Sequence, residues 1–458
     1  MSEAPPIDHR RTCRAHRRAL AKRLPDGLIV LSAQKPARRN GDVDYRFRQD
    51  SDFLYTTGVL EPGYALVLDP RRGEETLFVP KLTQAHAVWL GHMPDLAEAR
   101  ESFGIKDVAY LDALPKALAA RSLGYRVAHV DGRSRAVVAR AARRLSLDAP
   151  GLRDAFADLR IVKDEGEIAL LEKASEATAL GHLAAMRAAR AGMWEYQVQA
   201  VMEQAFRMAG CPETGYDSIV AAGRNGSILH YHHNHDRLQS GDLLLIDAAA
   251  EHQGYTADVT RAFPVSGRFT SRQRDVYEAV LRAQEGCLDL ARAGVTSMDV
   301  QHRSEELLAE GLKHLGLLEG SVAELVDTEA VRVFYPHGIG HTLGLDVHDV
   351  QGGTRRRLPK GKSGRLRFRA RLEPGFVMTI EPGLYFMPVL LDDPEVRRKH
   401  RGRIRFDRAA KFVEVGGVRI EDDVVIRKGA PPRNLTRVPK TVAEVEAACS
   451  ARPVFPSA

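Results

Sequence analysis

The pattern of apolar and polar positions changes near residue 160 of this 458-residue chain. Before that point, short apolar runs of strand type alternate with stretches of helical spacing. The strand-like runs are GLIVLSA (27–33), YALVLDP (64–70), ETLFVP (75–80), DVAYLD (107–112) and RVAHVDG (126–132). The helical stretches are TQAHAVWLG (83–91), DALPKALAAR (112–121) and SRAVVARAARRL (134–145). This alternation predicts an α/β domain over residues 1–162 with a partly parallel sheet.

Residues 163–458 have a different pattern, in which long helices frame β-type segments. The predicted helices lie within 163–192, 195–210, 271–294 and 297–316. The first begins with acidic residues and ends at a glycine, as helices commonly do. The β-type segments are DSIVAAG (217–223), DLLLIDAAAE (242–251), YTADVTRAFPV (255–265), GFVMTIEPGLYF (375–386) and GVRIEDDVVI (417–426). They predict an α+β domain with a mainly antiparallel sheet.

Residues 243–263 (LLLIDAAAEHQGYTADVTRAF) are typical of a β-hairpin, yet Asp247 and Asp258 interrupt its two arms. A turn at 252–253 places these aspartates directly opposite each other. A turn at 253–254 places them diagonally, on the same side of the ribbon. Both registers bring two like charges together, which destabilises a hairpin unless a cation compensates them.

Two more acids, Glu381 and Glu421, also interrupt apolar β-type segments. A carboxylate that points into a sheet core needs a partner or a metal ion, and one arginine, Arg419, lies nearby in the sequence. The segment FYPHGIGHTLGLDVHD adds three histidines without the HExxH spacing of zinc helices. An oxygen-rich ligand set without thiolates favours Mn²⁺, followed by Co²⁺, Fe²⁺ or Zn²⁺, and four carboxylates suggest two ions.

The order Asp, Asp, His, Glu, Glu resembles the metallopeptidase clan of methionine aminopeptidase, aminopeptidase P and prolidase. The segments HGIGHTLGLDVHDV, TIEPGLY, GVRIEDDVVI and NLTRVPK follow in that order, and DSDFLYTTGVLEPGYALVL (51–69) resembles the N-terminal domain of aminopeptidase P. The resemblance implies an α/β N-terminal domain followed by a "pita-bread" catalytic domain. It further implies an Xaa-Pro aminopeptidase that acts on peptides with proline at the second position and forms dimers or tetramers.

The resemblance also assigns roles to individual residues. It implies five ligands for two divalent ions: Asp247, Asp258, His341, Glu381 and Glu421. It implies that His230, His337 and His348 surround the substrate and its developing oxyanion. Glu381 is the candidate proton relay, and Arg419 matches an arginine that holds a metal carboxylate. Trp89 is predicted to line a substrate pocket, of its own or of a neighbouring subunit.

Charge and composition narrow the function further. Segment 355–371 holds nine lysines and arginines and no acid, and segment 397–411 holds eight with one acid, Asp407. Without these two segments the chain is net acidic, so the net charge of +7 does not indicate a nucleic-acid-binding protein. The alternation in RLRFRARLEP (365–374) predicts a strand. Four scattered cysteines and the lack of a signal-like or membrane-spanning apolar run predict a cytoplasmic protein with free thiols.

Two other functions are compatible with these residues. One is a prolidase that cleaves Xaa-Pro dipeptides. The other, from a different class, is an inactive pita-bread protein that acts as a binding module. The second alternative is disfavoured because the chain keeps all five implied metal ligands.

Overall fold

The computed structural model describes residues 9–81, 83–359 and 366–451. The chain forms two compact units. The first contains the residues up to 160 together with 352–355, and the second contains 161–351 and the residues from 356 onward. Within the described residues, no helix is long and apolar enough to cross a membrane. The four cysteines, all in the described part of the chain, are free thiols as predicted.

The first unit is built around a six-stranded mixed sheet. Its strands, in spatial order, are Asp107–Tyr110, Glu74–Val79, Ala65–Asp69, Gly27–Ser32, Val127–Val130 and Ser146–Asp148. The three central strands pair antiparallel, and the remaining neighbours pair parallel, which confirms the partly parallel sheet. The helices are His9–Arg23, Ser51–Thr57, Gln84–Leu90, Leu96–Phe103, Leu114–Arg121, Arg135–Ala141 and Ala149–Arg160. A small hairpin joins Arg38–Asn40 to Val43–Asp44.

The second unit carries four long helices: Glu165–Ala188, Glu195–Met208, Ser271–Leu290 and Ser297–His314. Three of them begin with a reciprocal capping box, at Asp164, Thr270 and Thr296. Shorter helices are Val322–Asp327, Pro388–Leu391, Pro394–Lys399, Phe406–Ala409 and Val442–Ser450. These helices cover small sheets whose apolar faces form the core of the unit.

The strands of the second unit pair antiparallel, as predicted. One sheet contains Ile219–Ala222, Leu243–Asp247 and Thr260–Pro264, and a second contains Tyr255–Thr256, Ala250–His252 and Glu213–Thr214. A third contains Val377–Ile380, Asp422–Val425 and Arg433–Asn434, and a two-stranded ribbon pairs Gly383–Tyr385 with Gly417–Arg419. Three predicted site residues, Asp247, Glu381 and Glu421, lie at or next to the ends of these strands.

Two predictions about local structure are wrong. The helix predicted over 134–145 ends at Ala141. The strand predicted over 365–374 is not formed by its described residues, 366–374, although Arg365 lies outside the described residues. The alternation that suggested a strand is nevertheless real, because Leu366, Phe368 and Ala370 are buried in an apolar cluster, whereas Arg367 is exposed and Arg369 is half-buried. Here side-chain burial alternates without a strand ladder.

The basic segment 397–411 packs against acidic residues of its own unit. Ile404 pairs antiparallel with Leu318, and three ion pairs flank this bridge. They join Arg405 to Glu319, Arg403 to Glu324 and Lys399 to Glu329. Because these pairs are exposed, each stabilises the fold by at most about 1 kcal/mol. Much of the positive charge of this segment is therefore neutralised within the chain.

Candidate metal centre

The hairpin that carries the two aspartates adopts the second of the predicted registers. Asp247 pairs with Thr260, and His252 pairs with Tyr255 across the tip. The turn residues Gln253 and Gly254 both have positive φ, 49° and 87°, as a two-residue type I′ turn requires. Asp258 is therefore diagonal to Asp247 and on the same side of the ribbon. The predicted register that places the two aspartates directly opposite each other is not formed. The prediction that their side chains lie on the same side of the ribbon is confirmed.

The Tyr216 hydroxyl bridges the two aspartates. Its oxygen lies 2.7 Å from Asp247 Oδ1 and 2.6 Å from Asp258 Oδ1. Burial and the neighbouring carboxylates raise the pKa of Tyr216 well above its usual value, so the phenol keeps its proton. Tyr216 is a residue of the candidate site that the sequence pattern did not single out, since it lies 31 residues before Asp247.

Arg419 and Thr260 hold the carboxylates of Asp247 and Glu421 through hydrogen bonds. Arg419 donates to Asp247 Oδ2 over 2.5 Å, to the Tyr385 hydroxyl over 2.8 Å and to Thr260 Oγ1 over 2.8 Å. Thr260 in turn donates to Glu421 Oε2 over 2.6 Å. The hairpin register could have identified Thr260, because it places that residue directly opposite Asp247. This network supplies one positive charge from the protein to the site.

His341 faces two of the predicted carboxylate ligands. Its Nε2 lies 3.3 Å from Asp258 Oδ2 and 3.6 Å from Glu381 Oε1. Its Nδ1 lies 3.1 Å from the carbonyl oxygen of Thr342, to which it can donate, and this leaves Nε2 free to act as a ligand. Gly340 is needed beside it, because a Cβ there would lie 2.1 Å from the Thr379 carbonyl oxygen. The loop is thereby pressed against the strand that leads into Glu381.

The other three predicted histidines surround the same cavity. His337 Nε2 lies 2.8 Å from the Tyr385 hydroxyl, and its Nδ1 lies 3.6 Å from Glu381 Oε2. The His348 ring meets the His341 ring edge to face, with centroids 4.4 Å apart. Burial lowers the pKa of His337 and of His348 to about 3, and it also lowers the pKa of His230. These histidines are therefore neutral at physiological pH.

The carboxylates of the site carry more negative charge than the protein compensates. Burial raises the pKa of Glu381 to about 7, although His341 and Arg419 oppose the shift. Burial and the nearby carboxylates also raise the pKa of Glu421 well above its usual value, and they raise that of Asp258. Ligand atoms of Asp258, His341 and Glu421 all lie within 4.8 Å of one another. This oxygen-rich donor set with one imidazole fits divalent cations, which would supply the missing positive charge.

These residues line a cavity of about 570 Å³. The structure brings nine of the ten predicted site residues to it: His230, Asp247, Asp258, His337, His341, His348, Glu381, Arg419 and Glu421. Arg367 and Arg369, from the first basic segment, also line it. Trp89 lies on the helix Gln84–Leu90 of the first unit, is 83% exposed and is not among the lining residues. Its substrate role stays a prediction.

Comparison with known proteins gives a consistent result. The model of metallopeptidase family M24 matches residues 169–428, and the model of the aminopeptidase P N-terminal domain matches residues 13–127. An Xaa-Pro aminopeptidase of Escherichia coli is 36% identical over 449 residues, which cover 94% of this chain and 96% of that protein. A human Xaa-Pro dipeptidase is 32% identical over 457 residues, covering 96% and 92% of the two chains.

Solved structures show the same similarity. A variant of Escherichia coli aminopeptidase P, solved with substrate, superposes with a TM-score of 0.83 at 33% identity and covers 96% of this chain and 98% of its own. Proline aminopeptidase P II from Yersinia pestis superposes with a TM-score of 0.82 at 32% identity, covering 96% and 99%. These matches confirm the predicted fold class, an α/β N-terminal domain joined to a pita-bread catalytic domain.

Proposed function

This chain is a member of metallopeptidase family M24, and on that premise we propose that it is a metal-dependent Xaa-Pro aminopeptidase. The observation that carries the proposal is the convergence of four carboxylates and His341 in one cavity, where Arg419 is ion-paired with Asp247. The substrate class comes from relatives named Xaa-Pro aminopeptidase, which are 35% to 36% identical over more than nine-tenths of the chain.

We propose that two divalent ions are held by the predicted set of ligands: Asp247, Asp258, His341, Glu381 and Glu421. Mn²⁺ is the first candidate, because carboxylate and imidazole donors without thiolates suit harder ions, and Co²⁺, Fe²⁺ and Zn²⁺ follow. When bound, such ions lower the pKa of water towards neutrality and polarise a carbonyl group. Tyr216, Thr260 and Arg419 keep the ligands oriented, as the hydrogen-bonded neighbours of metal ligands generally do.

The chain's own groups supply the remaining chemistry. Glu381 lies at the cavity wall and is the candidate for moving a proton from the attacking water to the leaving nitrogen. His348 is neutral, so it can donate one N–H hydrogen bond to an oxyanion without carrying a charge into the site. The single N–H of neutral His337 is on Nδ1 and is directed to the Gly338 carbonyl oxygen, 2.8 Å away, so His337 is a candidate for contact with the substrate rather than an oxyanion donor. His230 faces the same cavity and is a candidate for contact with the substrate.

Two features of the proposal concern the assembly and the location of the protein. We expect a homodimer or homotetramer in which Trp89 reaches the cavity of a neighbouring subunit, because Trp89 is 83% exposed in its own chain. Nucleic acid and membranes are not expected partners, and the cytoplasm remains the predicted compartment.

A prolidase activity is the second candidate, and one observation favours it. Arg367 and Arg369 line the cavity, where they could pair with the terminal carboxylate of an Xaa-Pro dipeptide. The human Xaa-Pro dipeptidase also matches nearly the whole chain.

A peptide panel tests the proposal and separates the two candidates. Purified Mn²⁺-loaded protein should hydrolyse Xaa-Pro-Yaa peptides, release the first residue, and leave Xaa-Ala-Yaa and N-acetylated peptides intact. Cleavage restricted to Xaa-Pro dipeptides would favour the prolidase instead. The absence of hydrolysis of both proline-containing substrates would reject the proposed function.

A further inference from the structure

A buried polar relay lies behind the segment that carries His337 and His341. This segment, residues 337–341, contains neither helix nor strand, so its buried backbone groups need partners from other elements. Ile339, at its centre, is fully buried. Its carbonyl oxygen accepts a hydrogen bond from the Glu381 amide over 2.9 Å, which joins it to the residue that directly follows the strand Val377–Ile380.

The backbone amide of Ile339 donates a hydrogen bond to a side chain on the opposite side of the segment. It donates over 2.6 Å to Oε1 of Gln301, which lies on the helix Ser297–His314 and is 3% exposed. A short hydrogen bond in a buried setting restricts the position of both partners. Ile339 therefore lies between Gln301 on one side and Glu381 on the other, two residues from each of the site histidines His337 and His341.

The Gln301 amide is itself held in one orientation. Its Nε2 donates over 3.0 Å to Oε1 of Glu305, one helical turn further along. Glu305 is 4% exposed and is paired with Arg332, whose Nη2 lies 3.0 Å away. Because Glu305 can only accept, the Gln301 amide must present its oxygen to Ile339. The charge pair thus determines which face of the amide meets the loop.

We propose that Gln301 is a positioning residue for the metal centre, and that the relay from Arg332 through Glu305 and Gln301 to Ile339 fixes the loop between His337 and His341. Gln301 is not among the residues that line the cavity, and it acts through the backbone of Ile339. The inference rests on the proposed function, because the groups that it positions are those proposed to bind metal and substrate. A displacement of about 1 Å in such groups can lower the rate about 100-fold.

The test compares three variants of the full chain. Gln301→Met keeps the side-chain length but removes the acceptor. Gln273→Met is the matched control, because Gln273 is 5% exposed and its Nε2 donates to the Gly241 carbonyl over 2.8 Å, away from the cavity lining. The double variant Gln301→Glu with Glu305→Gln exchanges amide and carboxylate. It keeps an acceptor for Ile339, a hydrogen bond between the two side chains and an acceptor for Arg332.

The relay predicts a specific pattern of results. Gln301→Met should lower kcat for an Xaa-Pro-Yaa peptide about tenfold or more, with a smaller change in KM, and it should weaken Mn²⁺ binding to metal-free protein about tenfold. Gln273→Met should lower the melting temperature by a similar amount, but it should leave kcat and the Mn²⁺ affinity within about twofold of wild type. The exchange variant should recover kcat and Mn²⁺ affinity.

Two results would overturn the proposal: a Gln301→Met protein with the kinetics and Mn²⁺ affinity of the Gln273→Met control, or a folded exchange variant that recovers neither. If Gln301→Met does not fold, Gln301→Asn, which withdraws the amide by one methylene, is judged by the same criteria. Calorimetric Mn²⁺ titration separates this proposal from the proposed function. An inactive wild-type protein would reject the function, whereas the titration would still test the relay.

Discussion

The Oδ1 atoms of Asp247 and Asp258 lie 2.7 Å and 2.6 Å from the same hydroxyl oxygen, that of Tyr216. A phenol carries one hydrogen, so it can donate to only one of the two carboxylates at a time. The second carboxylate must be compensated from elsewhere, and of these two aspartates Arg419 donates to Asp247, through Oδ2. This imbalance is the structural reason to expect cations at the site.

Replacing Tyr216 by phenylalanine should destabilise the metal-free protein more than the metal-loaded protein. The lost hydrogen bond to a carboxylate is worth about 1–3 kcal/mol, and bound cations would compensate the same charges. Chemical denaturation with and without Mn²⁺ measures both effects. The control is Tyr125→Phe, because that hydroxyl donates to Asp69 over 2.6 Å in the first unit. Equal losses for Tyr216→Phe in both conditions would contradict the expectation.

Asp258→Asn should abolish stabilisation by Mn²⁺ without weakening the metal-free protein. The substitution removes one carboxylate from a buried, like-charged group, so repulsion falls as the metal ligand is lost. Melting curves of metal-free and Mn²⁺-treated protein test this. An Mn²⁺-induced rise in melting temperature equal to that of wild type would count against Asp258 as a ligand.

Arg367→Ser should impair recognition of negatively charged substrate ends. Arg367 lines the cavity, so KM should rise more for Xaa-Pro dipeptides and acidic peptides than for amidated Xaa-Pro-Yaa peptides. The difference should shrink in 1 M salt, where the Debye length is about 3 Å. Arg371→Ser is the control, because Arg371 belongs to the same basic segment but does not line the cavity. If the Arg367→Ser and Arg371→Ser proteins have the same kinetics, Arg367 does not take part in substrate recognition.

The metal-free protein should lose stability as the pH rises from about 5 to about 7, in part through Glu381. Burial raises the folded-state pKa of Glu381 from 4.5 to about 7, so over this range the unfolded chain releases the proton first and ionisation favours unfolding. Glu381→Gln cannot ionise at this position. The unfolding free energy of wild type relative to Glu381→Gln should therefore fall by about 1 kcal/mol or more between pH 5 and pH 7.5. A constant difference between the two proteins would contradict the raised pKa.

The fold class and most of the site could be predicted because they depend on local patterns. The hairpin required Asp247 and Asp258 to converge in either register, and the positive φ angles of Gln253 and Gly254 selected one of them. The acids within apolar strands were correctly expected to face inward, because they interrupt runs of aliphatic residues typical of a sheet core. The matching family and its metal-dependent peptidase class agree with that expectation.

The other features of the site depend on tertiary contacts between residues distant in the chain, and the sequence pattern does not encode these contacts. Tyr216 contacts the site from a segment distant in the chain, and Gln301 contacts the backbone of Ile339 behind it; no periodic signal marks either residue. The arginines of 366–371 alternate with buried residues, so the pattern predicted a strand. The structure forms no strand here and places two of these arginines, Arg367 and Arg369, at the cavity.

Metal analysis combined with activity after chelation tests the central claim most directly. Exhaustively chelated protein should contain no divalent metal and should not hydrolyse Xaa-Pro-Yaa peptides. Titration with Mn²⁺ should restore hydrolysis as two ions bind per chain, with a parallel rise in melting temperature. Full hydrolysis by protein shown to be metal-free would contradict the claim that the carboxylates and His341 form a catalytic metal centre.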